Sequence, residues 1–194
     1  ISVTTSSGVV SDNLSVSSFT IDTTPPELDT VNIRSDNDNT TIARVGNRIY
    51  LDLTFSENVN TPTVLIAGQS ALRNSGSGKT WVYRYTMQNN DSEGSVSLSV
   101  VFTDTLGNGP TTVTSTTNGS AVLFDKTAPT LTEVTAVSTP TSDNSTNYTF
   151  HSDEAGAITY GGDCSSSTTS ATADNNTITF NALADNTYNG CIIT

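Results

Sequence analysis

The chain has 194 residues, and its 7 lysines and arginines against 19 aspartates and glutamates give a net charge of −12. Such an acidic chain repels nucleic-acid phosphates and anionic lipid head groups, so neither nucleic acid nor a membrane surface is expected as a partner. The apolar runs are short, such as AVLF at 121–124, so this segment is not expected to insert into a membrane. The abundance of Thr and Ser favours strands over helices.

One phrase occurs twice. FTIDTTPPELDTV at 19–31 returns as LFDKTAPTLTEV at 123–134, and Asp22 and Asp125 are 103 residues apart. That spacing is the length of one small β domain, and self-similarity at a fixed period predicts an array of domains. The initiator Met is also absent. We therefore expect an internal piece of a longer protein, with domain boundaries after residues 22 and 125.

The first 22 residues predict two strands. ISVTTSSGVVSDNLSVSSFTID contains a strand, a glycine turn and a second strand that leads into the linker phrase. We interpret residues 1–22 as the last two strands of a preceding domain.

Residues 23–125 predict a complete domain. Apolar residues alternate with polar ones at period two, which is typical of strands with one face in a core. Glycine and asparagine clusters such as NSGSGK separate these runs and favour turns. About seven strands result, enough for a two-sheet sandwich. The predicted core faces are Ile49, Leu51, Leu53 and Phe55; Trp81, Tyr83, Tyr85 and Met87; and Val96, Leu98, Val100 and Phe102.

Residues 126–194 predict a second domain with five strands. These strands are LTEVTAV, NYTFHS, AITYGG, NTITFNAL and TYNGCIIT. A sandwich of this kind needs two more strands. We expect a segment like residues 1–22 of a neighbouring unit to complete this domain, and the neighbouring identical or similar units are therefore its expected partners.

Two cysteines, Cys164 and Cys191, lie in a stretch rich in Gly, Ser, Thr and Asn. A zinc site usually shows denser ligand spacing, and His151 is the only histidine in the chain. A disulfide is favoured over two free thiols, and it implies an oxidising compartment.

The linker phrases, TFSENV, TDTLGN and the stretch GGDCSSSTTSATADNNTITFNALADNTYNGC together resemble tandem bacterial Ig-like domains of large secreted or cell-surface, adhesin-like proteins. The resemblance implies all-β tandem Ig-like sandwiches of about seven strands each, joined by short Asp-Thr-Pro linkers, on the outside of a bacterial cell. DNTYNGC resembles a tyrosine corner, although Tyr188 stands three residues before Cys191 rather than two. The Cys-Trp-Cys pattern of antibody domains is absent.

Two functions are compatible with this resemblance. The first is a structural repeat unit of an extracellular surface stalk or filament that supports adhesion. The second is an Ig-like binding module that recognises a cell-surface glycan or protein through exposed loops. Most aromatic residues fall on predicted core faces, which favours the stalk. No enzyme is expected: catalytic residues are not predicted, and any Ser-His-Asp device would have to use His151, which we predict to be a solvated strand-end residue.

Calcium is the candidate ligand at the domain junctions, because hard cations prefer several oxygen ligands. In an Ig-like domain the loops after the second and sixth strands lie where the linker enters. That placement would bring together Asp22, Glu57, Asp104 and Asn108. The alternative is that these residues only form turns and linkers. A weaker site at the second junction would use Asp125, Asp153 and Glu154.

Overall fold

The computed structural model describes residues 2–11, 15 and 17–194, and the chain forms two compact units, Ile1–Lys126 and Thr127–Thr194. No described residue lies in a helix, so the predicted all-β class is confirmed. The boundary between the units falls within the second linker phrase, at residues 126 and 127.

Among its described residues, the first unit contains eleven strands of two to eight residues. The strands are β1 (Leu28–Ser35), β2 (Ile42–Ala43), β3 (Arg48–Phe55), β4 (Thr63–Ile66), β5 (Gln69–Ser70), β6 (Leu72–Ser77), β7 (Thr80–Thr86), β8 (Gly94–Ser95), β9 (Leu98–Phe102), β10 (Thr111–Val113) and β11 (Leu123–Phe124).

Two antiparallel four-stranded sheets form the body of this unit. One has the order β1-β3-β7-β6 and the other β10-β9-β4-β5. A third, small sheet places β11 between β2, to which it runs parallel, and β8, to which it runs antiparallel. Period-two alternation directs one face of β1, β3, β4, β7 and β9 into the core, as predicted for β3. Phe55 and Phe102 meet edge to face with ring centroids 4.8 Å apart.

Strand β6 is an edge strand with an irregular backbone. Its residues are all exposed, and a bulge interrupts its pairing with β7 between Arg73 and Ser75. Gly76 has a φ of 102°, and a Cβ added there would lie 2.3 Å from the carbonyl oxygen of Thr80. Only glycine fits that position, so the distorted backbone of β6 depends on Gly76.

Residues 2–22 form little regular structure in their described part. An isolated antiparallel bridge joins Thr4 to Val10 around Gly8, which has a φ of 82°. The glycine turn expected from the sequence is therefore present, and the described residues beside it form this bridge and no longer strand. Residues 12–14 and 16, which belong to the second expected strand, lie outside the described residues, so that strand stays a prediction. The large apolar side chains that the structure describes in this segment are exposed, namely Val3, Val9, Val10, Phe19 and Ile21.

The second unit has seven shorter strands: β12 (Leu131–Thr135), β13 (Asn147–Ser152), β14 (Gly156–Ala157), β15 (Tyr160–Gly161), β16 (Ser170–Ala171), β17 (Asn175–Thr179) and β18 (Ile192–Ile193). They form the antiparallel sheet β12-β13-β17 and the antiparallel pairs β14-β16 and β15-β18. The buried apolar core consists of Phe150, Ile158, Cys164, Ile178 and Phe180.

Candidate functional site

Three carboxyl groups converge in the first unit. Asp22 precedes the linker prolines, Glu57 follows β3, and Asp104 follows β9. One carboxylate oxygen from each lies within 4.8 Å of the others. We call these three residues the acidic cluster; they are three of the four residues that the sequence assigned to the first calcium site.

Asp104 is the buried member of the acidic cluster, with 1% of its surface exposed. Its Oδ1 accepts hydrogen bonds from the backbone N–H groups of Leu106 (2.9 Å) and Asn108 (2.7 Å). Its Oδ2 accepts one from Nδ2 of Asn108 at 2.7 Å. The loop after β9 therefore closes around this carboxylate, which explains how a buried acidic group is tolerated.

These hydrogen bonds also determine the pKa of Asp104. Burial raises the pKa, but the donors on Asn108, Leu106 and Gly107 stabilise the carboxylate and together hold the pKa below its ordinary value of 3.8. The group is therefore held as an anion at neutral pH.

Asn108 connects the loop to the linker. Besides its bond to Asp104, its Nδ2 donates to the carbonyl oxygen of Asp22 at 3.2 Å. The amide nitrogen of Asn108, not its oxygen, thus faces the acidic cluster, and the residue acts as a hydrogen-bond donor. Asp22 also accepts a bond at Oδ1 from the backbone N–H of Thr24 at 3.0 Å, which orders the start of the linker.

The oxygen donors of the acidic cluster match the chemistry of a hard divalent cation such as Ca²⁺, and three neighbouring carboxylates repel one another without one. Both oxygens of Asp104 already accept hydrogen bonds. The calcium site predicted from the sequence stays a prediction.

The residues of the weaker predicted site belong to different units. The N–H of Asp125 donates to the carbonyl of Ala43 at 2.9 Å within the first unit. In the second unit, Oδ1 of Asp153 accepts a bond from the N–H of Thr130 at 2.7 Å, and this bond is the main cause that lowers the pKa of Asp153. The carbonyl of Glu154 accepts a bond from Oγ of Ser152. The second site also stays a prediction.

A disulfide joins Cys164 and Cys191 within the second unit, with a Cα–Cα distance of 5.1 Å. It connects the loop after β15 to the segment that enters β18. The disulfide favoured by the sequence is therefore present, and the two-thiol alternative is wrong.

Two other residues singled out by the sequence have clear positions. His151 is exposed on β13, where it stands opposite Thr132 and Asn175 in the sheet. The hydroxyl of Tyr188 donates to the carbonyl of Ala184, four residues upstream, at 2.9 Å. A tyrosine corner contains a hydrogen bond of this kind, from the Tyr hydroxyl to the backbone a few residues upstream.

Sequence reasoning missed a groove in the second unit. Its volume is about 820 Å³, and its lining includes six apolar side chains of the core or packed against it, which we call the apolar floor: Val137, Tyr148, Phe150, Phe180, Leu183 and Ile193. Most polar lining residues belong to segments 137–144 and 183–189, which contain no regular strand. Their Ser, Thr, Asn and Asp residues are typical of loops, so no sequence pattern predicts a groove there.

Comparisons of the chain with models of protein families, with curated proteins and with solved structures found no match. Among the described residues, no helix is long and apolar enough to cross a membrane.

Proposed function

We propose that this chain is a structural repeat unit of an extracellular bacterial surface stalk or filament that supports adhesion. One observation carries the proposal: a similar phrase, Asp-Thr-Thr-Pro-Pro at 22–26 and Asp-Lys-Thr-Ala-Pro at 125–129, precedes two sets of three strands that pair in the same order. In the first unit the order is β1-β3-β7, and in the second it is β12-β13-β17. A sequence that repeats both a linker and the sheet after it is typical of a linear array.

The internal construction of the units supports Ig-like modules. The first unit has two antiparallel four-stranded sheets with a shared apolar core, as a sandwich requires. The second has the Tyr188 contact to the backbone of Ala184. Its disulfide is compatible with an oxidising, extracellular setting.

The placement of aromatic side chains favours a stalk over a binding module. Trp81 and Tyr83 are buried, with Trp Nε1 bonded to the carbonyl of Gly78 and the Tyr hydroxyl bonded to the carbonyl of Pro62. Rigid aromatic anchors dominate many recognition surfaces, and these two are used to hold the sandwich together.

Immunogold labelling of intact source cells with antibodies against this chain tests the proposal. We expect label at a distance from the outer surface, and a shift of that label toward the cell when the repeats between it and the anchor are deleted. Label that appears only after permeabilisation would show that the stalk assignment is wrong.

A glycan array probed with the folded chain tests the alternative. The stalk predicts no saturable binding. A signal that saturates with concentration and is lost on unfolding the chain would instead favour the binding module.

A further inference from the structure

The repeated phrase allows a direct comparison of two strand segments. Ile21 precedes Asp22 as Phe124 precedes Asp125, and Phe19 corresponds in the same way to Val122. Val122 and Phe124 are each 1% exposed, whereas Phe19 and Ile21 are 76% and 77% exposed. The same pattern of alternating apolar residues is thus in a core at one copy of the phrase and in solvent at the other.

In the first unit, β11 is held from both sides. On one side the N–H of Leu123 donates to the carbonyl of Thr41 at 2.8 Å, next to β2. On the other side the N–H of Val96, just after β8, donates to the carbonyl of Val122 at 2.9 Å. The segment between β1 and β3 and the segment between β7 and β9 therefore form the slot in which β11 lies.

The corresponding segments of the second unit line its groove. Strands β12, β13 and β17 take the places of β1, β3 and β7 in sheet order. Residues 137–144 lie between β12 and β13, and residues 183–189 lie between β17 and β18. The groove is thus bounded by the two connections whose counterparts hold β11 in the first unit.

We propose that residues 17–22 of a second copy of this chain bind as a strand in the groove of the second unit, between segments 137–144 and 183–189. Phe19 and Ile21 enter the groove and contact the apolar floor formed by residues such as Phe150 and Phe180. Ser18 and Thr20, on the opposite face, remain in solvent.

Strand addition of this kind combines main-chain hydrogen bonds with pockets for alternate side chains. Each copy offers one donor segment and one groove on different units, so the contact is heterologous and continues from copy to copy. The inference deepens the proposed function by naming the neighbour that each unit binds. It rests on the proposed function in one respect, because it takes the partner to be another unit of the same kind.

Sedimentation velocity of the whole chain over a range of concentrations tests the contact between copies. At about 0.15 M salt, where the Debye length is about 8 Å, repulsion between acidic copies is largely screened. We expect concentration-dependent association for the natural chain. The double variant Phe19→Asp/Ile21→Asp should sediment as a monomer.

The matched control is Ser18→Asp/Thr20→Asp, which adds the same charge on the opposite face of the segment and should still associate. Both variants change exposed positions, so both should fold. A natural chain that stays monomeric, or equal association of both variants, would overturn the proposal.

A peptide measurement locates the contact. A fluorescent peptide of residues 17–24, SSFTIDTT, is titrated into the Phe19→Asp/Ile21→Asp chain and followed by polarisation. We expect saturable binding, and about a hundredfold weaker binding when the peptide carries the same two aspartates, because two apolar side chains no longer leave water.

Hydrogen exchange in the presence of the peptide should show protection in residues 137–144 and 183–189. Absence of saturable binding, or protection confined to the first unit, would overturn the inference. Because these measurements use purified protein, they can fail while surface labelling succeeds, so the proposal of a stalk is tested separately.

Discussion

The two units of this chain share a sheet order but differ in their cores. The first unit buries eighteen apolar side chains in one cluster, and the second buries five among the described residues, one of which is the disulfide cysteine Cys164. The equivalent first strands show the same contrast, because β1 alternates into a core while every residue of β12 is exposed. Pairing order alone therefore does not make a sandwich core; the strands that cover the sheet determine how much apolar surface is removed from water.

The largest expected loss of stability follows a substitution at the centre of the first unit's core. Phe55→Ala should lower the free energy of unfolding of the first unit by about 3 to 5 kcal/mol, because it leaves a cavity beside Phe102. Urea unfolding followed by the fluorescence of Trp81, the only tryptophan, reports this unit. The matched control is Phe19→Ala, at a side chain that is 76% exposed, and it should change stability by less than about 0.5 kcal/mol. Equal effects would contradict the assigned core.

The stability of the second unit should depend on its disulfide. Replacing Cys164 and Cys191 with alanine removes a cross-link that spans 27 residues and should cost this unit about 3 to 4 kcal/mol in the chain-entropy model. Hydrogen exchange of the β13 and β17 amides measures the loss, and the unfolding transition reported by Trp81 should not move. Unchanged protection in the variant would show that the small core is sufficient without the disulfide.

If the acidic cluster binds calcium, calcium should raise the melting temperature of the first unit. Binding to the folded state alone adds about 2.7 kcal/mol when the free ion is 100 times its dissociation constant. Melting followed by Trp81 fluorescence should therefore shift upward in calcium relative to excess chelator. Glu57→Gln should reduce that shift, whereas Glu27→Gln, outside the acidic cluster, should retain it. An identical melting temperature with calcium and with chelator would argue against the site.

Acid should destabilise the first unit through Asp104. Because its pKa is lowered on folding, its contribution is present above its ordinary value of 3.8 and is lost as the pH falls through the lower folded value. Asp104→Asn should flatten the pH dependence of the urea midpoint below pH 3.8. The control is Asp29→Asn at an exposed position of β1, and a profile flattened equally by both substitutions would contradict a special role for Asp104.

The smallest effect is expected at His151. His151→Ala removes an exposed side chain from β13 and should change the stability of the second unit by less than about 1 kcal/mol. Hydrogen exchange of β13 amides measures it. A larger loss would mean that the imidazole makes a contact essential to the sheet.

Core positions were predicted best where the alternation of strand faces alone determines burial. Alternation places Leu51 and Leu53 in the core because a strand has only two faces, and it placed them correctly. The two-residue strands β2 and β8 could not be predicted, since they are too short to have a period and depend on β11, which is distant in sequence. The acidic cluster was predicted from the Ig-like resemblance, which places the loops after the second and sixth strands where the linker enters. The donor role of Asn108 depends on the direction of its amide, which no sequence pattern specifies.

The irregular edge at β6 reduces unwanted strand pairing between neighbouring domains of similar sequence. In the array that we propose, each domain has neighbours of related sequence at millimolar local concentration, a condition that favours misassembly between domains during folding. A long flat edge would invite such pairing. The bulge between Arg73 and Ser75 and the glycine at position 76 distort the exposed edge, which disfavours pairing with a neighbour's strand. Tandem domains can then fold without pairing through this edge, and exchange between copies is left to the segment 17–22.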